Sequence, residues 1–502
     1  MKSKSKAFPP PIGGWDTRQA LADMPIENAV ILDNLFPSTD KVTVRRGYTS
    51  FATGMSGNVE SLLEYTGVDG VAELFAANGG SIYDVSGSGA VGAAVVTGAS
   101  NNRWQQVQIG TGAGQFLFIC NGADTPRTYN GSTWANATIT GPTQANLIWA
   151  NLHQRRLWVG EVNSLTAHYG AVNAIGGAFT AFSLAGVARK GGYIVAMGTW
   201  TRDNGDGMDD AAVFLTSEGE AIVYQGTDPA SASTWSLVGR FEIGRPIGRR
   251  CLIKAGGDIV VMTQDGFIPL SAGLQRDTSQ AEIVALSSQI NKAVNDAVRE
   301  FGTLYGWQPF IYPRGTQFIF NIPQSTTAFN QFVFNTITGA PCRFTGINAI
   351  CWGMKGDEAY FGGTDGKVYK YDDGNSDGGS NINWDGLQAF SYFGSPNKKK
   401  SFKLVETIFQ SDGNPSAAIE MNVDFQIKTF QGVTVESATS AARWGISKWG
   451  IGTWGSADQI YRGWRGVRGV GRSAAVRIRG STTSARPSWI ATNYTYVEGG
   501  QL

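Results

Sequence analysis

The chain has 502 residues, enough for about three average domains or one large β architecture, and its 42% apolar content with 66 glycines fits a turn-rich globular protein. Lys plus Arg number 41 against 40 Asp plus Glu, which excludes a dominant whole-chain attraction to nucleic acid or membrane and makes any such binding local. Four cysteines without a CxxC pair and two histidines, His153 and His168, leave little from which to build a zinc site or a His-based catalytic relay.

Residues 1–58 differ in character from the rest of the chain. The start, MKSKSKAFPPPIGG, is basic and Pro-rich, with the charges of a signal peptide but no apolar core, and no run of about 18 apolar residues occurs to span a membrane. Residues 23–32 read as a short helical turn packed through Ile26, Val30 and Leu32, and residues 41–46 as a strand. The segment 1–58 is expected to be an N-terminal strap or docking segment that caps the body of the chain.

From 59 to 385 one phrase recurs: an apolar run, a turn that usually contains Gly, and a second strand ending on Tyr or a polar residue. It is clearest in AYFGGTDGKVYKYD (359–372), and returns as ELFAANGGSIYDV (73–85), AVFLTSEGEAIVYQG (212–226) and IVVMTQDGFIPLS (259–271). Looser copies occupy 116–131, 156–170 and 318–335. The turns lie near Gly79, Gly122, Asn163, Gly219, Gly266, Ser325 and Gly366. Their spacing averages roughly 48 residues, inside the range of four-stranded propeller blades. The expected fold is all-β: a β-propeller of about seven blades over 59–385, the alternative being chance recurrence of such phrases in another all-β protein.

One stretch breaks the β pattern. SSQINKAVNDAVREF (287–301) puts Ile290, Val294, Ala297, Val298 and Phe301 at helical spacing, with Ser available as a cap and Gly302 beyond, so an inserted helix with a core-facing stripe is expected. Cys120, Cys251, Cys342 and Cys351 sit beside apolar or Gly-rich strand residues and read as buried free thiols rather than a Cys342–Cys351 disulfide. Asp373, Asn375 and Asp377, followed by Gly378, have the D-x-N-x-D-G order of a calcium loop. Position twelve is Trp384 rather than a bidentate Glu, so the motif is incomplete and ordinary turn chemistry accounts for it. No cofactor is expected.

After Gly386 the composition shifts, and 386–502 reads as a C-terminal β-rich domain. Residues 402–409 and 417–425 alternate apolar and polar around Asp-Gly-Asn-Pro, which predicts a hairpin, and Lys398, Lys399 and Lys400 read as a solvated loop tip. Trp444, Trp449 and Trp454 stand five residues apart, each followed by Gly, a step that fits neither a helix face nor a strand face. From residue 443 onward there are nine basic and two acidic residues, with Arg462, Arg465, Arg468 and Arg472 concentrated around YRGWRGVRG.

The phrases PIGGWDTR, ALADMP, AVILDNLFP and VTVRRGYTSFATG resemble the start of tail proteins from short-tailed bacteriophages and their prophage relatives; the Trp-rich repeats and the terminal YTYVEGGQL extend that resemblance. The resemblance implies a virion protein: a propeller subunit of the tail nozzle or hub, forming a ring of six copies below the portal and adaptor. It implies as partners further copies of itself, the tail adaptor, and tail fibres or distal tail proteins. Trp15, Asp16, Arg45 and Arg46 become candidates for adaptor docking; the four arginines and three tryptophans become candidates for subunit contacts. A conduit for ejected double-stranded DNA should not grip phosphate tightly, which favours the subunit-contact reading of the arginines over a DNA-binding arm. No GxSxG elbow, P-loop or HExxH motif occurs, so no catalytic residue is assigned and a non-enzyme is expected. The competing classes are a receptor- or glycan-binding propeller and, further off, a polysaccharide hydrolase.

Overall fold

In the computed structural model, residues 3–203, 208–273, 285–434 and 459–501 are described, and they form an all-β structure. Seven sheets succeed one another along the chain. The first strands of these sheets are Val59–Thr66, Gln105–Thr111, Leu147–His153, Ile194–Asp203, Leu252–Ala255, Gln308–Tyr312 and Cys351–Lys355. Each packs beside the first strand of the next sheet, and Cys351–Lys355 of the seventh returns to Val59–Thr66 of the first. The arrangement is propeller-like, with the first strands innermost.

Local chemistry explains the sheets. Their second strands are buried on both faces between neighbours, so they read as continuous apolar runs rather than alternating ones, as in Asp258–Thr263 and Gln317–Pro323. Separate apolar clusters fill the gaps: Leu63, Phe75, Trp104 and Leu117 between the first and second sheets, and Trp158, Tyr169, Phe214 and Trp235 between the third and fourth. Ala52, Val59, Leu74, Tyr360 and Val368 fill the gap between the seventh and first. All seven turns named from the sequence join the second strand of a sheet to its third. Six of them have left-handed φ at the named residue, Ser325 being the exception. At Gly219 the need is absolute, because φ is +84° and a Cβ would lie 2.6 Å from the carbonyl carbon of Gly244.

The N-terminal residues are woven into this body through strand pairing. Tyr48–Thr53 pairs with Val368–Tyr371 as the outer strand of the seventh sheet. Residues 28–32, expected within a helical turn, belong to the strand Asn28–Asp33, whose buried Ala29 and Leu32 face the core. That strand lies between Pro341–Phe344 of the sixth sheet and Ile382–Gln388, so one ten-stranded sheet runs from the sixth sheet into the C-terminal part of the chain. Ile382–Gln388 also runs across the boundary expected at 385.

A second sheet faces it, with Lys398–Ser411 and Ser488–Gln501 at its centre and Ser3–Phe8 and Val42–Val44 paired to the latter. Phe402, Phe409, Ile419, Val476, Ile478 and Trp489 belong to the core shared by the two sheets. Lys398–Ser411 and Ala417–Val423 are therefore not a hairpin: the Asp-Gly-Asn-Pro turn carries the chain from one sheet to the other. Nor is the lysine run a solvated tip. Lys400 is buried, and its ammonium donates to the carbonyls of Ser395, Lys398 and Arg472 at 2.6, 3.0 and 2.9 Å, with burial lowering its pKa.

The expected helix is present as Asn291–Phe301, preceded by a 3-10 turn at Leu286–Ile290, and Ile290, Val294 and Ala297 are buried. Ser287 does not cap it; its hydroxyl accepts the Phe267 N–H at 3.0 Å and ties the helix to the fifth sheet. All four cysteines are buried free thiols.

The parts meet at Arg45. Its Nη atoms bind both oxygens of Asp377 at 2.8 and 2.6 Å, and the pair is almost fully desolvated. Removing one partner of such a pair strands the other, so Asp377→Ala is expected to cost about 3–5 kcal/mol. Asp33→Ala, which frees a more exposed Arg343, should cost about 1 kcal/mol. Urea unfolding of the two variants checks this; equal losses would contradict the role given to Arg45.

Candidate functional site

Along a strand, alternate side chains point the same way, so the inner strand of each sheet offers every second residue to the space its neighbours enclose. Those positions converge on a cavity of about 450 Å³. Every sheet contributes: Glu64, Gln106, Asn151, Met197, Ile253, Gln308 and Met354 each come from a different one. The wall mixes aromatic surface, including Trp149, Trp352 and Phe310, with amides and two guanidinium groups, Arg249 and Arg250.

The polar groups are ordered by hydrogen bonds between neighbouring sheets. Gln106 accepts the Glu64 N–H at 2.7 Å, and Gln308 makes two bonds with the Trp352 backbone, donating to its carbonyl and accepting from its N–H, each at 3.1 Å. Glu64 Oε1 accepts the Met354 N–H at 2.7 Å across the closure between the seventh and first sheets. Burial pushes the Glu64 pKa up to about 7, and the Met354 N–H opposes that shift. Glu64 is the one acid in the cavity wall. His153, at the end of the third inner strand, is buried with its pKa lowered to about 4, so it is neutral at ordinary pH.

The residues singled out from the sequence lie elsewhere, and the fold brings two of the sets together. Arg45, a candidate for docking a partner, and Asp377, part of the incomplete calcium-loop motif, are partners in the buried ion pair above. Asp373 accepts the Thr49 hydroxyl at 2.6 Å, and Asn375 donates to the Ser484 carbonyl at 2.9 Å, so the three calcium candidates engage three different protein groups. Among the described residues, no group of three or more His, Cys, Asp and Glu is placed to hold a metal ion.

Trp15 is buried beneath the Arg343 guanidinium, 5.3 Å from its ring centroid, and packs edge-on against Phe332. Asp16 is buried too, accepting the N–H groups of Arg18 and Gln19 and the Asn28 amide. Of the four docking candidates only Arg46 is exposed. Arg462, Arg465, Arg468 and Arg472 fall on or beside the strand Trp464–Gly471; Arg465 is half-buried and the other three are exposed. Trp444, Trp449 and Trp454 lie outside the described residues.

Sequence reasoning missed the cavity residues. Glu60 and Glu64, four apart in an otherwise apolar strand, and the Arg249-Arg250 doublet just before another, were the available signals.

No family model matches the chain, and no curated protein matches it. Many solved structures align with it; two of them are of BBS1N in complex with ARL6DN, one soaked with mercury and one with lead. The first shares 10% identity over 65% of this chain and 98% of that one, with a TM-score of 0.40; the second shares 11% over 66% and 99%, at 0.43. At these values the likeness carries no argument about what the chain binds or does.

Glu64 gives a pH test. Its folded pKa of about 7 lies above its ordinary 4.5, so the folded state favours the protonated form. The cost of ionising it is absent below pH 4.5, grows between 4.5 and about 7, and is constant above. Glu64→Gln, which can keep the Met354 bond, should therefore gain roughly 2–3 kcal/mol relative to the wild type as pH rises through that window. Urea unfolding at both ends of the window measures it, and a constant difference would refute the assignment.

Proposed function

We propose that this chain is a non-enzymatic subunit of the tail nozzle or hub of a short-tailed phage, located in the virion tail. The observation that carries the reading is the string of N-terminal phrases between PIGGWDTR and VTVRRGYTSFATG. Those phrases supply the strands that join the sheet ring to the second β domain, so they encode the junction of the subunit rather than an appendage. The ring of sheets is a seven-bladed β-propeller, its last blade completed by Tyr48–Thr53.

In this reading six copies surround the tail axis, and DNA passes between subunits rather than through any one of them. A cavity of about 450 Å³ has the size of a small-ligand site. It offers no passage to a duplex whose major groove alone is about 12 Å wide.

The surface for a neighbouring copy is the strand Trp464–Gly471. Among the described residues it pairs only with Lys398–Ser411, and it leaves Trp464 43% and Val470 63% exposed, with Ile460 nearby at 54%. An unpaired strand edge carrying apolar side chains is a template for another chain. Arg462, Arg468 and Arg472 stand beside it for carboxylates of the next subunit. The adaptor and the fibres or distal tail proteins would bind the two ends of such a ring.

The second reading, a receptor- or glycan-binding propeller, is favoured by the ligand-sized axial cavity. A hydrolase has less support, since glycoside hydrolysis uses two carboxylates and the cavity wall holds one.

Electron micrographs of the purified protein should show closed rings. Trp464→Ala combined with Arg468→Glu should abolish them while leaving the thermal transition of the subunit unchanged, because both side chains are exposed. DNA titrations at low and moderate salt should show weak binding. Tight, salt-sensitive binding by a protein that forms no ring would overturn the proposal.

A further inference from the structure

One end of the axial cavity is built for negative charge. Arg249 and Arg250, just before the fifth inner strand, form part of its wall. Arg103, just before the second, stands beside them: the guanidinium carbons of Arg103 and Arg250 lie 4.3 and 5.7 Å from the centroid of the same Tyr305 ring. Against these three cations there is one carboxylate, Glu60, and it is taken by Arg103 at 3.2 Å.

Arg250 is held by neutral acceptors, Ser61 Oγ at 2.6 Å, the Trp104 and Glu60 carbonyls at 3.0 and 3.2 Å, and Gln308 Oε1 at 3.3 Å. Among the described residues Arg249 makes a single bond, to the Asn121 carbonyl at 3.2 Å. Its burial, together with the like charges of Arg103 and Arg250, lowers its pKa. Neither Arg249 nor Arg250 forms an ion pair among the described residues.

A half-buried guanidinium with no carboxylate partner among the described residues still has N–H groups to donate, and an oxyanion accepts two at once in the matching geometry. The space is there, and so are the amides of Gln106 and Asn151 to bind the rest of a polar molecule. The acid in the wall, Glu64, does not compete for this end. Glu64 lies four residues along the strand from Glu60, about 13 Å at the rise of an extended chain.

The geometry points to an anion site: Arg249 and Arg250 bind the phosphate or carboxylate group of a small molecule held in the axial cavity. The site is complete within one subunit, so it does not depend on the ring reading.

Calorimetric titrations of the full chain with inorganic phosphate and with glucuronate test it. One equivalent should bind, and Arg249→Gln should weaken binding about tenfold or more, the worth of a charge-assisted hydrogen bond. Arg249→Lys, which keeps the charge, should retain most of the affinity, and Arg299→Gln, on the exposed face of the helix, should change nothing. Tighter phosphate binding identifies a phosphoryl ligand, and tighter glucuronate binding an acidic sugar. A crystal of the wild type soaked in tungstate gives a second readout independent of how the variants fold, with the oxyanion expected against Arg249 and Arg250. No binding of either probe at millimolar concentration, equal binding by Arg249→Gln, or tungstate found only outside the cavity would overturn the inference.

Discussion

A buried guanidinium has five N–H groups and costs several kcal/mol in lost hydration unless all find acceptors. Arg45 satisfies every one: Nε donates to Asn34, Nη1 to the Arg46 carbonyl and Asp377, and Nη2 to the Thr345 carbonyl and Asp377. The acceptors come from three parts of the chain: the N-terminal residues, the end of the sixth sheet, and the loop after the seventh. That one side chain therefore fixes where the ring of sheets ends, where the second β domain begins, and how the N-terminal strands pass between them.

The consequences run in both directions from this point. Immediately after Arg45 the chain crosses the loop bearing Asp377 so closely that a Cβ on Gly47 would overlap the Ser376 carbonyl, and it then enters the seventh sheet as Tyr48–Thr53. That strand covers an edge that would otherwise be open, and the apolar cluster around Ala52, Val59 and Tyr360 joins last sheet to first. Toward the C-terminus the same solution to buried charge recurs. Asp385 binds Arg477 and Arg479 at 2.7 and 2.6 Å, and Lys400 satisfies three carbonyls. Polar groups at the junction specify one arrangement of strands whose apolar faces alone would tolerate several.

The inner strands and the outer surface divide the possible functions between them. Side chains facing the axis, such as Glu64 and Gln308, are placed by bonds from one sheet to the next, whereas Arg249 reaches across to the Asn121 carbonyl at the second sheet. Among the described residues, the strand Trp464–Gly471 leaves one edge unpaired and Trp464 exposed. The cavity proposed for a ligand and the edge proposed for assembly lie on different strands, and neither proposal excludes the other.

The sequence alone determined what depends on near neighbours. The turns at Gly79, Gly219 and Gly366 were legible because a left-handed φ selects Gly at that residue, and the helix at Asn291–Phe301 because its 3.6-residue period differs from that of the strands around it. Tertiary structure decided which strands pair. The apolar run from Ala29 to Leu32 suits a strand as well as a helical turn, and the strands that pair with it lie far along the chain. The turn at 412–415 is the same whether the strands beside it pair or face each other across a core. Arg45 and Asp377 looked like two unrelated surface features because 332 residues separate them, and no local pattern records a contact made at that distance. The axial cavity is the extreme case: its wall takes residues from seven strands, each unremarkable by itself, and the concentration of charge there is complete only once the ring of sheets has brought Arg103 beside the Arg249-Arg250 doublet.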